Sequence, residues 1–176
     1  MHLMRHPFPK TEDRKGVTVA GPRVLVIGVG NEMRGDDAVG LIVSRRLREK
    51  LPYHAAMVEE SSDGAHLMGL WKGSEITILI DAVQSGAEPG RIHKFEAHKS
   101  PLPTALFQYS THDFSIPHAI ELARAMNQLP RRLIVYGIEG QCFDLGARIS
   151  TIVERAAQEV IKLLTFEILQ HQSLID

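Results

Sequence analysis

Three side-chain groups in this chain could hold a metal ion. Asp36 and Asp37 lie in VLVIGVGNEMRGDDAVG, between a glycine turn and a helical pattern. Asp81 directly follows the apolar run ITILI, and His112 lies in STHDF ahead of another helical pattern. Two carboxylates and an imidazole suit a divalent first-row metal that keeps open coordination positions. Because the segments carrying Asp37, Asp81 and His112 are all predicted to end at one edge of a sheet, these residues are candidate ligands of one metal ion.

The glycine turn does not fit a phosphate-binding loop. The dinucleotide fingerprint that Gly28 and Gly30 begin needs a third glycine where this chain has Met33, and no Lys-Ser/Thr pair follows Gly35. Two acids at a helix N-terminus would also repel a phosphate group.

Structural interpretations exist for each group taken by itself. An N-cap is worth about 1 kcal/mol and accounts for one acid of the Asp36–Asp37 pair, although it leaves the second acid unexplained. Asp81 could simply begin a turn, and a single histidine in a loop, such as His112, is usually an ordinary surface residue. The metal interpretation depends on the three groups occurring together.

A nucleophilic thiol is the competing interpretation of the site. The chain has no G-x-S-x-G elbow, and its only thiol is Cys142, in the loop after a predicted strand. Cys142 and His112 could form a pair at the same sheet edge. A single cysteine is more often an inert filler, so we favour the metal site.

The composition is that of an ordinary globular domain. Of 176 residues, 44% are apolar and 23% are charged, which is enough for one core. The formal net charge of −1 gives no indication of a nucleic acid or an anionic membrane as partner. The longest apolar runs have the length of strands and do not reach that of a membrane span. The single cysteine is typical of a protein in the reducing cytoplasm.

Strand and helix patterns alternate along the chain, which predicts an α/β sheet with helices on both faces. Buried strands are predicted at 24–27, 55–59, 76–80 and 133–136, and RIHKF is predicted as a more exposed antiparallel edge strand. Helices are predicted at 38–50 and 65–72, from near Ser115, and from Thr151. Pro117 must lie in the first turn of the third helix, and Thr151 and Glu154 have capping-box spacing at the fourth.

The remaining residues are assigned by composition. Residues 1–21 carry charges, prolines and glycines without a continuous apolar stretch, and we predict a mobile N-terminal extension that is no secretory signal. Residues 22–176 are predicted to form a single α/β domain. Trp71 and the scattered methionines are predicted to fill the core, and His93, His98 and His118 are predicted to lie on the surface.

Four motifs together resemble the hydrogenase maturation proteases, which remove a short C-terminal extension from the large subunit of nickel–iron hydrogenases. IGVGNEMRGDDAVG, ILIDAV, STHDF and LIVYGIEG follow one another in the order of that family. The similarity runs from about Val24 to the final helix. Two departures are that Ser150 is followed by Thr151, where the family often has proline, and that Cys142 is not part of the family pattern.

The resemblance implies a role for each matched residue. Asp37, Asp81 and His112 match the acids and the histidine that contact the metal, and they are the implied catalytic residues. The position of Asp37 takes either Glu or Asp in the family. Asn31 completes the G-x-G-N turn and would brace the loop or a substrate backbone. Asp36 is assigned to helix capping and to orienting Asp37.

The resemblance also implies a fold and an activity. The implied fold is a three-layer α/β sandwich of the phosphorylase/hydrolase type, with a twisted, mostly parallel five-stranded sheet between helices. The implied activity is that of a cytoplasmic endopeptidase of aspartic type, acting on the hydrogenase large-subunit precursor after nickel insertion. Nickel would arrive with the substrate and would be weakly bound or absent in the isolated protease.

Two questions remain open from the sequence. Nickel could polarise the scissile carbonyl or activate water, or it could be only a recognition element while a carboxylate acts as general base. The chain could also be a binding module that senses the metal-loaded precursor without cutting it, or a relative whose partner is not a hydrogenase.

Overall fold

The computed structural model describes residues 23–51, 55–60, 64–103 and 115–173. The strands are β1 Val24–Val29, β2 Ala56–Glu60, β3 Ile76–Val83, β4 Ile92–Glu96 and β5 Arg132–Glu139. The helices are α1 Val39–Lys50, α2 Gly64–Leu70, α3 Ile116–Ala125 and α4 Thr151–Ser173, and a 3₁₀ turn at Gly35–Ala38 leads into α1. The predictions for residues 1–21 and for His112 fall outside the described residues.

The strands form one five-stranded sheet in the order β2-β1-β3-β5-β4. All neighbouring pairs are parallel except β4 and β5, which are antiparallel. The central strands β1, β3 and β5 are buried almost throughout, which is why each appears in the sequence as a continuous apolar run. The half-exposed RIHKF segment becomes β4 at the sheet edge. The predicted mostly parallel sheet and its antiparallel edge strand are both confirmed.

Helices cover both faces of the sheet and produce the predicted three-layer sandwich. Helices α1 and α4 pack on one face, where Val43 and Val160 meet the side chains of Val26 and Ile78. Helices α2 and α3 contribute the core of the opposite face. Within the described ranges, no helix has both the length and the apolar character needed to cross a membrane.

The two central strands β1 and β3 form a topological switch point. From β1 the chain passes through α1 to β2 on one side, whereas β3 is followed by elements on its other side, β5 and β4. Loops that leave adjacent strands in opposite directions open a crevice at the carboxyl ends of those strands. Asp37 follows β1 and Asp81 belongs to β3, so the topology places both acids at this crevice.

Two strands extend beyond their predicted apolar runs into acidic residues. β3 continues through Asp81 to Val83, and β5 continues to Glu139, so Asp81 lies within a strand and not after it. The ladder pairs Asp81 with Gly137 and Val83 with Glu139. Backbone hydrogen bonds do not depend on side-chain polarity, so the ladder continues where the apolar pattern stops.

The two predicted helix starts have different outcomes. α3 begins at Ile116, with Ser115 as its N-cap and a proline in the first turn, as predicted. α4 begins at Thr151, but the predicted capping box is wrong. The side chain of Glu154 forms an ion pair with Arg46 on α1, and the N–H of Ser150 donates to Asp36. Thr151 is the first residue of the helix and not its N-cap, and the N–H of Glu154 donates to the carbonyl of Ser150 at 2.9 Å, so the Thr151–Glu154 box does not form.

Candidate active site

Glycines let the beginning of α1 approach the sheet backbone directly. A Cβ atom on Gly40 would collide with the carbonyl oxygens of Val29 and Ile80, and one on Gly28 would collide with the carbonyl of Gly40. Only glycine at these positions allows such close helix–strand contact. The 3₁₀ turn that carries Asp37 is therefore held against β3, next to the carboxyl end of β1.

The loop between β1 and the 3₁₀ turn is closed by its own hydrogen bonds. The N–H of Asn31 donates to the carbonyl of Asp37 at 3.3 Å, and the Asn31 Oδ1 accepts a bond from the N–H of Met33 at 2.9 Å. Gly30 has a φ of +146°, and a Cβ there would collide with the carbonyl of Asp37. Asn31 therefore braces this loop, and its contact with a substrate backbone stays a prediction.

Asp37 and Asp81 lie close enough to affect each other electrostatically. Asp81 is buried, and one of its carboxylate oxygens accepts a hydrogen bond from the N–H of Ala82 at 2.9 Å. Burial, followed by the negative charge of Asp37, raises the pKa of the Asp81 carboxyl group well above its usual range. The structure thus brings together two of the three predicted site residues. The position of His112 stays a prediction.

The acidic pair is chemically suited to a cation. A buried carboxylate beside a second carboxylate favours either a bound proton or a positive ion. Carboxylate oxygens are acceptable ligands for a divalent first-row metal. Among the residues that the structure describes, no group of three His, Cys, Asp or Glu side chains could hold a metal. The described part of the chain therefore brings together two candidate ligands, Asp37 and Asp81, and the third candidate, His112, lies outside it.

Asp36 does not cap a helix, so that prediction is wrong. Neither the 3₁₀ turn nor α1 has a side-chain cap. The buried Asp36 carboxylate instead accepts hydrogen bonds from the N–H groups of Gln141 at 2.7 Å, Cys142 at 2.9 Å and Ser150 at 2.6 Å. The Ser150 hydroxyl adds a fourth bond at 2.9 Å. The side chain turns away from its own helix because the loop after β5 offers it these donors.

These bonds join two loops into one unit beside Asp37. Besides the Asp36 carboxylate, the N–H of Gly146 donates to the Met33 carbonyl at 2.7 Å. The Arg34 Nε donates to the Phe143 carbonyl at 3.3 Å. We refer to residues 31–37 and 140–150 together as the double loop. It forms the wall of the crevice on the side of Asp37.

A further buried carboxylate at this sheet edge, Glu139, was not singled out in the sequence. It accepts hydrogen bonds from the Ser85 N–H at 2.7 Å, the Ser85 hydroxyl at 2.8 Å and the Gly86 N–H at 3.0 Å. It therefore fixes the turn that follows β3, the strand of Asp81. The available signal was the same as for Asp81, a carboxylate at the end of an apolar run, here within LIVYGIEG.

The predicted surface position of His93 is wrong. Its side chain is only 15% exposed, and its Nε2 lies 3.4 Å from a carboxylate oxygen of Glu139. On an edge strand, successive side chains alternate between the two faces, and His93 falls on the covered face beside β5.

The surroundings of Cys142 give limited support to a thiol mechanism. Cys142 is half-buried, its Sγ lies 3.6 Å from a carboxylate oxygen of Asp144, and its N–H is bonded to Asp36. Its neighbours in the described residues are thus acidic, with no histidine among its hydrogen-bond partners. The pairing of Cys142 with His112 stays untested by this geometry.

The described residues form an α/β sheet covered by helices, with the interacting carboxylates of Asp37 and Asp81 beside its switch point. Residues 41–167 match the family model HycI, described as hydrogenase maturation protease. The chain therefore belongs to the hydrogenase maturation protease family, which confirms the resemblance seen in the four motifs.

Individual relatives agree with this assignment. The putative hydrogenase maturation protease MJ0253 of Methanocaldococcus jannaschii is 27% identical over 151 residues, which are 82% of this chain and 96% of that protein. The hydrogenase expression/formation protein HupD of Bradyrhizobium diazoefficiens is 24% identical over 119 residues, which are 66% of this chain and 62% of that protein. The match thus spans about three fifths of HupD and nearly all of MJ0253.

Solved structures show the same fold. The hydrogenase maturating endopeptidase HybD from E. coli superposes with a TM-score of 0.69 at 22% identity, covering 85% of this chain and 93% of that one. The nickel–iron hydrogenase maturation protease HybD from Thermococcus kodakarensis has a TM-score of 0.61 at 26% identity, covering 83% of this chain and 99% of that one. The α/β sandwich is therefore the fold of these proteases.

Proposed function

We propose that this protein is an endopeptidase that removes the C-terminal extension of a nickel–iron hydrogenase large-subunit precursor after nickel insertion. The observation that carries the proposal is the electrostatically coupled pair Asp37 and Asp81 at the switch point, in a chain of the hydrogenase maturation protease family. The names of the relatives support the substrate class. The single cysteine supports a cytoplasmic location for the reaction.

Nickel would enter the site as part of the substrate, held by cysteine thiolates of the precursor. Asp37, Asp81 and His112 would complete its coordination from the protease side, since nickel(II) accepts carboxylate and imidazole ligands together with thiolates. A precursor without metal would bring no positive charge to the two acids, whose mutual repulsion would remain. Coordination would thus act as a checkpoint that admits only the loaded precursor.

Asp81 is our candidate for the proton transfer that peptide hydrolysis requires. Burial and Asp37 raise the pKa of Asp81 in the metal-free protein, and nickel bound to both acids would favour its ionised form, leaving one carboxylate oxygen able to accept a proton. Bound nickel would supply positive charge near the scissile carbonyl or the attacking water. Asp37, which is less buried than Asp81, would supply the second carboxylate ligand.

Substitutions at the site separate the metal route from the thiol route. Asp37→Asn and His112→Ala are each expected to reduce processing of the nickel-loaded precursor by about 100-fold or more, because each removes a ligand. Cys142→Ala is expected to leave processing intact. The measurement is the rate of precursor cleavage at equal enzyme concentration, with thermal melting as the control for folding.

The two alternatives have distinct outcomes in this experiment. Loss of cleavage in Cys142→Ala at unchanged melting temperature would favour the thiol route and contradict the proposal. A wild-type protein that binds the loaded precursor but leaves its mass unchanged would instead be a binding module.

A further inference from the structure

Two large apolar side chains project from the double loop into solvent. Met33 is 62% exposed and Leu145 is 79% exposed. The prediction that the methionines fill the core is therefore wrong for Met33, and it is also wrong for Met126, which is 51% exposed. The backbone bond from the Gly146 N–H to the Met33 carbonyl brings their two segments together. We call Met33 and Leu145 the apolar rim.

The apolar rim stands on a rigid support. The Asp36 carboxylate bonds to both ends of the 141–150 segment, and the Met33 N–H is bonded to Asn31. Neither side chain covers the protein's own core, although the loops that carry them are held in place. Exposed apolar groups in a preorganised loop are typical of a binding surface, because little conformational freedom remains to be lost on association.

The location of the apolar rim distinguishes it from other exposed apolar residues. The remaining exposed large apolar side chains in the described ranges lie on α3 and α4, namely Leu122, Met126, Ile152, Leu163, Phe166 and Leu169. By contrast, Met33 precedes Arg34, whose carbonyl accepts the N–H of Asp37 at 3.1 Å. Met33 thus belongs to the same hydrogen-bonded loop as Asp37, and Leu145 belongs to the segment bonded to that loop. The Arg34 Nε donates to the Phe143 carbonyl, and the two rim residues are each preceded by an exposed acid, Glu32 and Asp144.

We propose that the apolar rim docks an apolar stretch of the precursor polypeptide next to the scissile bond and so orients that bond over Asp37 and Asp81. This inference rests on the proposed function. Both side chains stand exposed on the double loop that carries Asp37, so a precursor bound at Asp37 would lie next to them. Metal coordination would then depend on whether the precursor carries nickel, and the apolar rim would bind the polypeptide around the cleavage point.

The test compares rim substitutions with matched controls on α3. Met33→Ala and Leu145→Ala are each expected to raise KM for the nickel-loaded precursor about five- to tenfold, with kcat within about twofold, because substrate loses apolar contact area. Met126→Ala and Leu122→Ala remove side chains that are 51% and 43% exposed on α3, and they are expected to leave both constants unchanged. All four variants should melt close to the wild-type temperature.

Each outcome either supports or overturns the inference. Unchanged KM in the double variant Met33→Ala/Leu145→Ala, with normal cleavage by the wild type, would overturn it and leave the proposed function standing. Failure of the wild type to cut any loaded precursor would overturn both. A wild-type dimer in light scattering that becomes monomeric in the double variant, with KM unchanged, would assign the rim to a second copy of this chain instead.

Discussion

Replacing Asp81 with asparagine is expected to stabilise the metal-free protein while abolishing processing of the precursor. Asp81 is buried, and its pKa is raised first by burial and then by the charge of Asp37. The asparagine amide keeps the shape and carries no charge to bury. Because the same carboxylate is a proposed nickel ligand and general base, cleavage should fall by about 100-fold or more. A gain in stability with a loss of activity is typical of functional residues held in unfavourable surroundings.

The stabilisation should depend on pH in a defined direction. The folded protein holds the Asp81 proton more tightly than the unfolded chain does, since the folded pKa is raised. Below the ordinary pKa of aspartate, both states are protonated and the burial penalty is absent. As the pH rises towards the folded pKa, the unfolded chain loses its proton first, so the wild type loses stability. The advantage of Asp81→Asn should therefore be small near about pH 4 and largest above the folded pKa.

Urea unfolding of the wild type and the variant, with a chelator present, measures this effect. The difference in the free energy of unfolding should grow from about pH 4 to about pH 8. The difference between the two proteins isolates Asp81 from the other titrating groups. A variant that becomes progressively less stable than the wild type as the pH rises would contradict the assigned direction of the pKa shift.

Removing the Asp36 carboxylate is expected to be the most destabilising single change near the site. Asp36→Ala deletes the acceptor of four hydrogen bonds and leaves three backbone N–H groups of the 141–150 segment without their partner. Hydrogen bonds to a charged group contribute about 1.5–3 kcal/mol each and are not additive, so we expect a total loss of about 3–5 kcal/mol. Equilibrium urea unfolding of the purified protein measures it.

Asp144→Ala is the matched control for this prediction. Asp144 is an exposed acid in the same segment, and its carboxylate contacts only the Cys142 thiol among the side-chain bonds that the structure describes. Its replacement should change the free energy of unfolding by no more than about 0.5 kcal/mol. If the two alanine variants had equal stability, Asp36 would not join the loops as described.

The sheet and its helices were predictable because local patterns carry that information. Strands buried on both faces, such as β1 and β3, appear as short continuous apolar runs, and the half-exposed β4 was recognised as the edge. The start of α3 followed from Pro117, whose ring is tolerated only in the first turn of a helix. The ends of β3 and β5 were missed, since Asp81 and Glu139 continue the ladder without continuing the apolar pattern.

The candidate site was only partly predictable, because some of its contacts join segments that are far apart in the sequence. The meeting of Asp37 and Asp81 follows from parallel strands whose carboxyl ends lie at one edge, so the sequence could indicate it. The partners of Asp36 lie more than a hundred residues away, and no local spacing reports them. The burial of His93 against Glu139 depends likewise on the pairing of β4 with β5. The local sequence pattern does not predict contacts between segments that are distant in the chain.

Mass spectrometry of the hydrogenase large-subunit precursor can decide whether this protein cuts it and whether cutting requires nickel. The precursor is prepared with and without nickel, and each form is incubated with this protein and weighed before and after. Our account predicts that the nickel-loaded precursor loses the mass of its C-terminal extension while the metal-free precursor keeps its mass. Unchanged mass in both forms would contradict the peptidase activity, and equal cleavage of both forms would contradict nickel as the element that is recognised.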